Sequence, residues 1–246
     1  MASLDGQAAL VTGGSRRIGR VICRVLAERG AGVVIHYRSS FEEAESLAGD
    51  IRSGGGRAWT VGADLEDPVE TAELVARATD LAGPLDILVN NASIFPPGTL
   101  QELRLEDLVQ NLHVNAWAPF VLSRAFAQQN RKGNIVNLLD NKVVVGDPEH
   151  AAYHLSKRTL FTLTRMMAME FAPGVRVNAV APGLILPPPG EDESYLRRVA
   201  SANPLQRWGS PGQVARAVLF LVTTDFVTGQ VIYVDGGQHM KGAFYA

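Results

Sequence analysis

The sequence holds one cysteine, Cys23, among 246 residues, so no intrachain disulfide can form and the fold must rest on packing. That scarcity fits a reducing compartment, and Cys23, set in an apolar helical pattern, reads as a buried structural thiol. An excess of one charge is also missing. Lys and Arg number 23 against 25 Asp and Glu, a net charge of −2, and the basic residues form no long cluster, which removes the electrostatic footprint of a nucleic-acid binder. Trp59, Trp117 and Trp208 lie far apart and build no stacking platform with basic residues. His36, His113, His150, His154 and His239 have neither a cysteine partner nor the paired spacing of a metal-binding helix, so no zinc or iron site is expected and they read as structural or solvent-facing. No apolar run is long enough to span a bilayer, and the strand-like run Ala8 to Val11 comes too early to leave room for a secretory leader. A soluble, cytoplasmic protein with small-molecule rather than nucleic-acid or membrane partners is expected.

What is present is the balance of a chain able to bury a large core, 46% hydrophobic and 20% charged. No linker-like tract divides it, so one domain over residues 1–246 is expected, with a cofactor half of about 1–130 and a catalytic and substrate-loop half of about 131–246. Short apolar runs at Ala8 to Val11, Gly32 to His36, Ala58 to Val61, Ile87 to Asn90, Asn134 to Leu139, Val175 to Val180 and Gln230 to Val234 read as strands. Helical periodicity between them covers Ile18 to Arg29, Phe41 to Ser53, Pro68 to Leu81, Leu105 to Gln129, His150 to Phe171 and Gly212 to Val222. Met166, Met167 and Met169 fall within that pattern and read as helix packing. Seven strands alternating with helices predict an α/β fold, a Rossmann-type, doubly wound, seven-stranded parallel sheet with helices on both faces. Leu186 to Gly190, with Pro187-Pro188-Pro189, predicts a mobile loop, and the acidic Glu191, Asp192 and Glu193 lead from it into a short helix.

After the first strand stands Thr12-Gly13-Gly14-Ser15-Arg16-Arg17-Ile18-Gly19, then an amphipathic helix. A glycine turn at a strand-to-helix junction lets backbone N–H groups and the helix N-terminus approach a pyrophosphate. After the second strand, His36, Tyr37, Arg38, Ser39 and Ser40 stand where a dinucleotide fold meets the adenosine ribose. An acidic residue there would bind the free 2′-hydroxyl of NAD, whereas Arg and hydroxyl groups suit the 2′-phosphate of NADP, so NADP(H) is the expected cofactor. Tyr153 and Lys157, four apart, share a helical face. An ammonium beside a phenol favours the phenolate and would lower a pKa that starts near 10.

This ordered set resembles the short-chain dehydrogenase/reductase family over almost the whole chain. The matching residues are Thr12 to Gly19, Asp64 after the third strand, Asn90-Asn91-Ala92 after the fourth, Asn115, Tyr153 with Lys157, Pro182-Gly183 and the terminal Asp235-Gly236-Gly237. The resemblance implies that Tyr153 is the proton donor, that Lys157 binds the nicotinamide ribose and lowers the tyrosine pKa, and that Asn115 anchors a water relay. It places the cofactor against Gly13, Ser15, Arg17, Ile18, Gly19, Tyr37, Arg38, Ser39, Ser40, Asp64, Leu65, Asn91, Ala92, Ser93, Tyr153, Lys157, Pro182 and Gly183. It also implies a homotetramer built through Leu105 to Gln129 and His150 to Phe171.

Where the family has serine thirteen residues before the tyrosine, this chain has Asp140. An ionised carboxylate only accepts hydrogen bonds and would repel a carbonyl oxygen gaining negative charge, which disfavours ketone reduction. It favours a nitrogen gaining a proton, as when hydride adds across C=N. Arg17 replaces the middle glycine of the turn, and Asn91-Ala92-Ser93-Ile94-Phe95 follows the fourth strand. Both features are similar to the pteridine and dihydromonapterin reductases, as are His36 to Ser39 and the run from Val227-Thr228-Gly229 to Asp235-Gly236-Gly237. That similarity implies a pterin substrate stacked by Phe95 and held by Arg17, Ser93, Asp140 and Tyr153, with an Asp-Tyr-Lys set moving protons. Two other readings remain open at this level: a carbonyl reductase acting on a ketone such as a 3-oxoacyl thioester, and an NADP-binding scaffold with weak or no turnover.

Overall fold

The computed structural model describes residues 3–129, 131–188 and 190–241. Pro189, the third proline of the expected substrate loop, lies outside them. All strand pairs are parallel: β1 (Ala8–Val11), β2 (Gly32–Tyr37), β3 (Ala58–Gly62), β4 (Ile87–Asn90), β5 (Gly133–Leu138), β6 (Val175–Pro182) and β7 (Val231–Val234) make one sheet. Its order, β3-β2-β1-β4-β5-β6-β7, puts the direction reversal between β1 and β4. Ligands of open α/β sheets bind in the crevice at the carboxyl ends of the strands at such a switch point. Leu10 pairs with Leu88 and Val11 with Val89, so the glycine turn after β1 emerges beside the segment after β4.

Strands covered on both faces become continuous apolar runs, and β1 and β4 are buried throughout. One core lies under α1 (Arg17–Ala27), α2 (Phe41–Ser53) and, beyond α3 (Pro68–Ala82), α4 (Leu105–Leu112), α5 (Ala118–Ala127), α6 (Ala151–Glu170) and α7 (Glu193–Val199), under α8 (Pro211–Thr223). It joins Ile22, Leu26, Leu47 and Val218 to Val11, Ile35 and Val89. The opposite face packs Leu74, Leu122, Phe126 and Met167 on Leu10, Val34 and Ile135. Asp67 caps α3 by accepting from the N–H groups of Val69 and Glu70, and Pro68 opens that helix where a missing N–H is harmless. Asp192 caps α7 through Ser194 N at 2.8 Å, the short helix expected after the acidic run.

One element departs from the expected pattern. Instead of a single helix over Leu105 to Gln129, a π-helical turn at His113–Trp117 separates α4 from α5. Pro119 has no N–H, and its ring crowds the carbonyl of Asn115 four residues back; the wider turn, with Ala118 N bonded to His113 O, absorbs both effects. Among the described residues, no helix is long and apolar enough to cross a membrane.

Candidate active site

The glycine turn is tied down from two sides. Thr12 Oγ1 accepts from the N–H groups of Asn91 at 2.9 Å and Ala92 at 3.0 Å, while Asn91 Nδ2 donates to Thr12 O at 2.8 Å and Gly13 O at 3.0 Å. From β2, His36 Nδ1 accepts the Gly13 N–H at 3.0 Å, which leaves Nε2 to donate to Ala63 O at 3.0 Å. Burial pulls His36 down to about 4, so the ring is neutral and keeps both bonds. His36 is thus structural in the service of the site. Sequence reasoning placed it beside the ribose without finding this bond, because its partners lie 23 and 27 residues away.

Gly19 faces the turn so closely that a Cβ there would lie 2.2 Å from Gly13 O, which explains why glycine occupies the first turn of α1. Arg17, standing where the family has glycine, keeps a glycine-like backbone with φ 51°. An L-residue in that region carries strain on the order of 1–2 kcal/mol. Its guanidinium donates to Pro187 O at 2.7 Å, a strap from the glycine turn to the proline segment.

A cleft of about 360 Å³ runs past Gly13, Arg17, Ile18, Gly19, Arg38, Asp64, Leu65, Asn91, Ala92 and Ser93, with Arg16 and Ile94 added by the structure. The other expected cofactor residues of this end stand back from that wall. Ser15 and Ser40 are buried with their hydroxyls 2.6 Å apart. Tyr37 turns its ring toward Phe41, centroids 5.8 Å apart, and covers Gly62, while Ser39 is exposed. The Ser15, Ser40 and Tyr37 side chains are occupied locally because β2 ends at Tyr37 and the backbone turns into α2 there.

Arg17, Ile18, Asn91 and Ser93 also line a second cleft of about 680 Å³, with Phe95, Asp140, Tyr153, Lys157, Pro182 and Gly183. Asp140 follows β5 and opens a short 3₁₀ turn at Asn141–Val144, where its Oδ1 accepts Lys142 N at 2.8 Å. Tyr153, in the first turn of α6, donates its phenol proton to Asp140 Oδ2 at 3.1 Å. One helical turn later, Lys157 Nζ donates to Leu138 O at 2.8 Å and lies 5.7 Å from the Tyr153 ring centroid. Phe95, 43% exposed, meets Tyr153 nearly perpendicularly with centroids 4.5 Å apart.

The electrostatics correct one expectation. Burial, followed by the charge of Asp140 and the hydrogen bond to it, raises Tyr153 well above the ordinary phenol value, rather than Lys157 lowering it. Desolvation disfavours the phenolate, and the carboxylate adds repulsion. Burial likewise raises the Asp140 carboxyl against the bonds from Lys142 N and Tyr153, and it brings Lys157 down to about 8 although Asp140 pulls the other way. The arrangement can hold a proton on the phenol and exchange it with the carboxylate.

Asn115 sits in the π-helical turn, fully buried. Its Oδ1 accepts from Ser93 Oγ at 3.0 Å and Ile94 N at 2.9 Å; its Nδ2 donates to Ile94 O at 3.0 Å and Ser156 Oγ at 3.0 Å. The side-chain amide therefore joins the loop after β4 to α6, with its donors and acceptor already engaged by protein.

The family model described as enoyl-(acyl carrier protein) reductase matches residues 13–239. The FolM alternative dihydrofolate reductase 1 of Brucella canis, solved in complex with NADP, superposes with a TM-score of 0.92 at 37% identity, covering 96% of this chain and 95% of that one. Versicolorin reductase 1 of Aspergillus parasiticus is 38% identical over 95% of this chain and 97% of its own length. A 3-oxoacyl-[acyl-carrier-protein] reductase of Synechocystis is 34% identical over 98% of this chain and 100% of its own. With the parallel sheet, the glycine turn at its switch point and the Tyr153–Lys157 helix, these likenesses establish that the chain belongs to the short-chain dehydrogenase/reductase family.

Proposed function

We propose that the protein is an NADPH-dependent reductase of a pterin-like ring, converting a dihydropterin to a tetrahydropterin. The observation that carries this reading is the 3.1 Å bond between Tyr153 Oη and Asp140 Oδ2 inside the larger cleft. A carboxylate there opposes an oxygen gaining negative charge and favours a ring nitrogen gaining a proton. The residues fit the cofactor: the absence of a Cβ at Gly19 lets the glycine turn close tightly onto the head of α1, and Arg38 stands on the wall where an NAD-type site would carry an acid. Bound NADPH would supply the hydride.

In this reading the chain's own residues manage orientation and protons. Arg17 and Ser93, on the walls of both clefts, meet the polar edge of the ring, and Phe95 stacks on its face. Tyr153 Oη delivers its proton to the ring nitrogen and recovers one from solvent, relayed through Asp140 Oδ2. The Lys157 ammonium, beneath the phenol, offsets the charge left on Oη. Asn115 keeps Ser93 and Ile94 at the rim.

A second reading, reduction of a ketone such as a 3-oxoacyl thioester, is favoured by one observation. Burial raises the Asp140 carboxyl, and a protonated Asp140 would donate to a ketone oxygen. NADPH oxidation measured side by side with dihydrobiopterin, dihydromonapterin, dihydrofolate and a 3-oxoacyl thioester separates the two. Turnover of dihydropterins is expected, and thioester turnover without it would replace the reading. Competing NADPH and NADH titrations test the cofactor; preference for NADH would reject it.

The assembly proposed by family resemblance is a cytoplasmic homotetramer. Leu105 and Val109 of α4, Trp117 beyond it and Met166 and Met169 of α6 are exposed apolar side chains in keeping with helices that pack between subunits. Light scattering giving a monomer mass would reject it.

A further inference from the structure

A chain of contacts behind the Phe95 ring is used by none of the roles above. The imidazole of His150 stacks on Phe95 with centroids 3.9 Å apart and planes 15° from parallel. His150 Nδ1 lies 3.2 Å from Asp147 Oδ2, the oxygen that also accepts Lys142 Nζ at 2.9 Å, and Asp147 Oδ1 accepts Glu149 N at 3.1 Å. The Asp147 side chain is 2% exposed. Burial alone would raise its carboxyl, yet the Lys142 hydrogen bond, with the bond from Glu149 N, outweighs burial and holds it below the usual carboxylate value. It is a fixed anion to which the imidazole can anchor.

The backbones are joined at the same place. Gly98 N donates to Glu149 O at 2.8 Å and Ala151 N to Gly98 O at 2.8 Å, a parallel bridge between the Phe95 loop and the head of α6. Phe95, Lys142, Asp147 and Tyr153 are on the cleft wall, whereas His150 is not, so the imidazole backs Phe95 from outside. A half-exposed phenylalanine on a loop has rotational freedom that a stacked, anchored ring removes.

We propose that His150 is a positioning residue for substrate: held by Asp147, its ring fixes Phe95 as a flat wall against which a planar ligand stacks. This rests on Phe95 forming the stacking face in the function proposed above. Loss of one aromatic pair corresponds to roughly a two- to tenfold weaker hold on the ligand, and the chemistry at Tyr153 is untouched.

The experiment compares wild type with His150→Ala and His150→Tyr, the latter keeping a flat ring. In protein labelled with 4-fluorophenylalanine, the ¹⁹F signal missing from Phe95→Leu belongs to Phe95. It should shift and broaden in His150→Ala and return toward its original position in His150→Tyr, with the remaining signals unchanged. With dihydrobiopterin as the probe, His150→Ala should raise KM by about two- to tenfold at unchanged kcat, and His150→Tyr should restore it. An unmoved Phe95 signal, an unchanged KM or a fall in kcat alone would overturn the proposal, as would failure of the tyrosine to rescue. If wild type turns over no dihydropterin, the substrate reading fails by itself, and the fluorine comparison still decides whether His150 positions Phe95.

Discussion

Tyr153 and Asp140 are joined by a 3.1 Å hydrogen bond in which the phenol donates and the half-buried carboxylate accepts. The pair act on each other with opposite sign: the carboxylate keeps the phenol protonated, the phenol's hydrogen bond eases ionisation of Asp140, and burial raises both groups. Asp140→Asn removes the charge and leaves the size, so the Tyr153 phenol should titrate at lower pH, readable as an earlier rise of the ultraviolet phenolate band. An unmoved band would mean the charge does not act on the phenol.

Activity should follow the same pair. Asp140→Ser is expected to lower kcat/KM for a dihydropterin by about 10²–10⁴-fold, the usual contribution of a positioned proton-transfer group. Because the Asp140 carboxyl is raised, the wild-type profile of kcat/KM should bend at a pH above the ordinary carboxylate range, and this bend should vanish in Asp140→Ser. Identical profiles would remove the carboxylate from the mechanism.

The strained arginine gives a test of opposite sign to ordinary helix preference. Alanine normally exceeds glycine in a helix by about 1 kcal/mol. At Arg17, with φ 51°, glycine should be the more stable replacement, by about 1 kcal/mol. Both variants lose the bond to Pro187 O, so their difference isolates the backbone. Urea unfolding of Arg17→Gly against Arg17→Ala reads it; alanine proving the more stable would contradict the backbone assignment.

Gly19→Ala should fail for a steric reason. The added Cβ would lie 2.2 Å from Gly13 O and 2.6 Å from Asn91 Nδ2, so the turn must open. A loss of about 1–3 kcal/mol in stability is expected, with loss of NADPH binding in a fluorescence titration. Full affinity in this variant would show that the turn does not approach the cofactor.

His36 makes stability depend on acid. Its folded value is about 4 against an ordinary 6.5, so between these the unfolded chain binds more protons and stability falls as pH falls. The stabilising contribution is complete above 6.5 and is lost on passing down through about 4, on the order of 3 kcal/mol in all. Urea midpoints of wild type and His36→Gln across this window should diverge, the variant showing the flatter slope. Parallel slopes would place the acid sensitivity elsewhere.

Much of the fold was legible because the information is local. β-branched runs such as Val33-Val34-Ile35 and the interval of four between Tyr153 and Lys157 depend on backbone periodicity alone. The glycine turn and Asp140 were legible as residue types at fixed offsets from a strand end and a tyrosine. By contrast, the break in the expected helix at His113–Trp117 follows from Pro119 combined with the burial of Asn115 among Ser93, Ile94 and Ser156. Ser15 and Ser40 face one another only because β1 and β2 are neighbours.

Sequence alone thus determined the parallel sheet, the position of the turn and the identity of the acid–phenol–ammonium set, since each is encoded by spacing along one segment. Tertiary structure decided the state of that set. Whether Lys157 or Asp140 governs the Tyr153 proton depends on distances and loss of water around three groups drawn from the turn after β5 and from α6, and desolvation has no local signature in the chain.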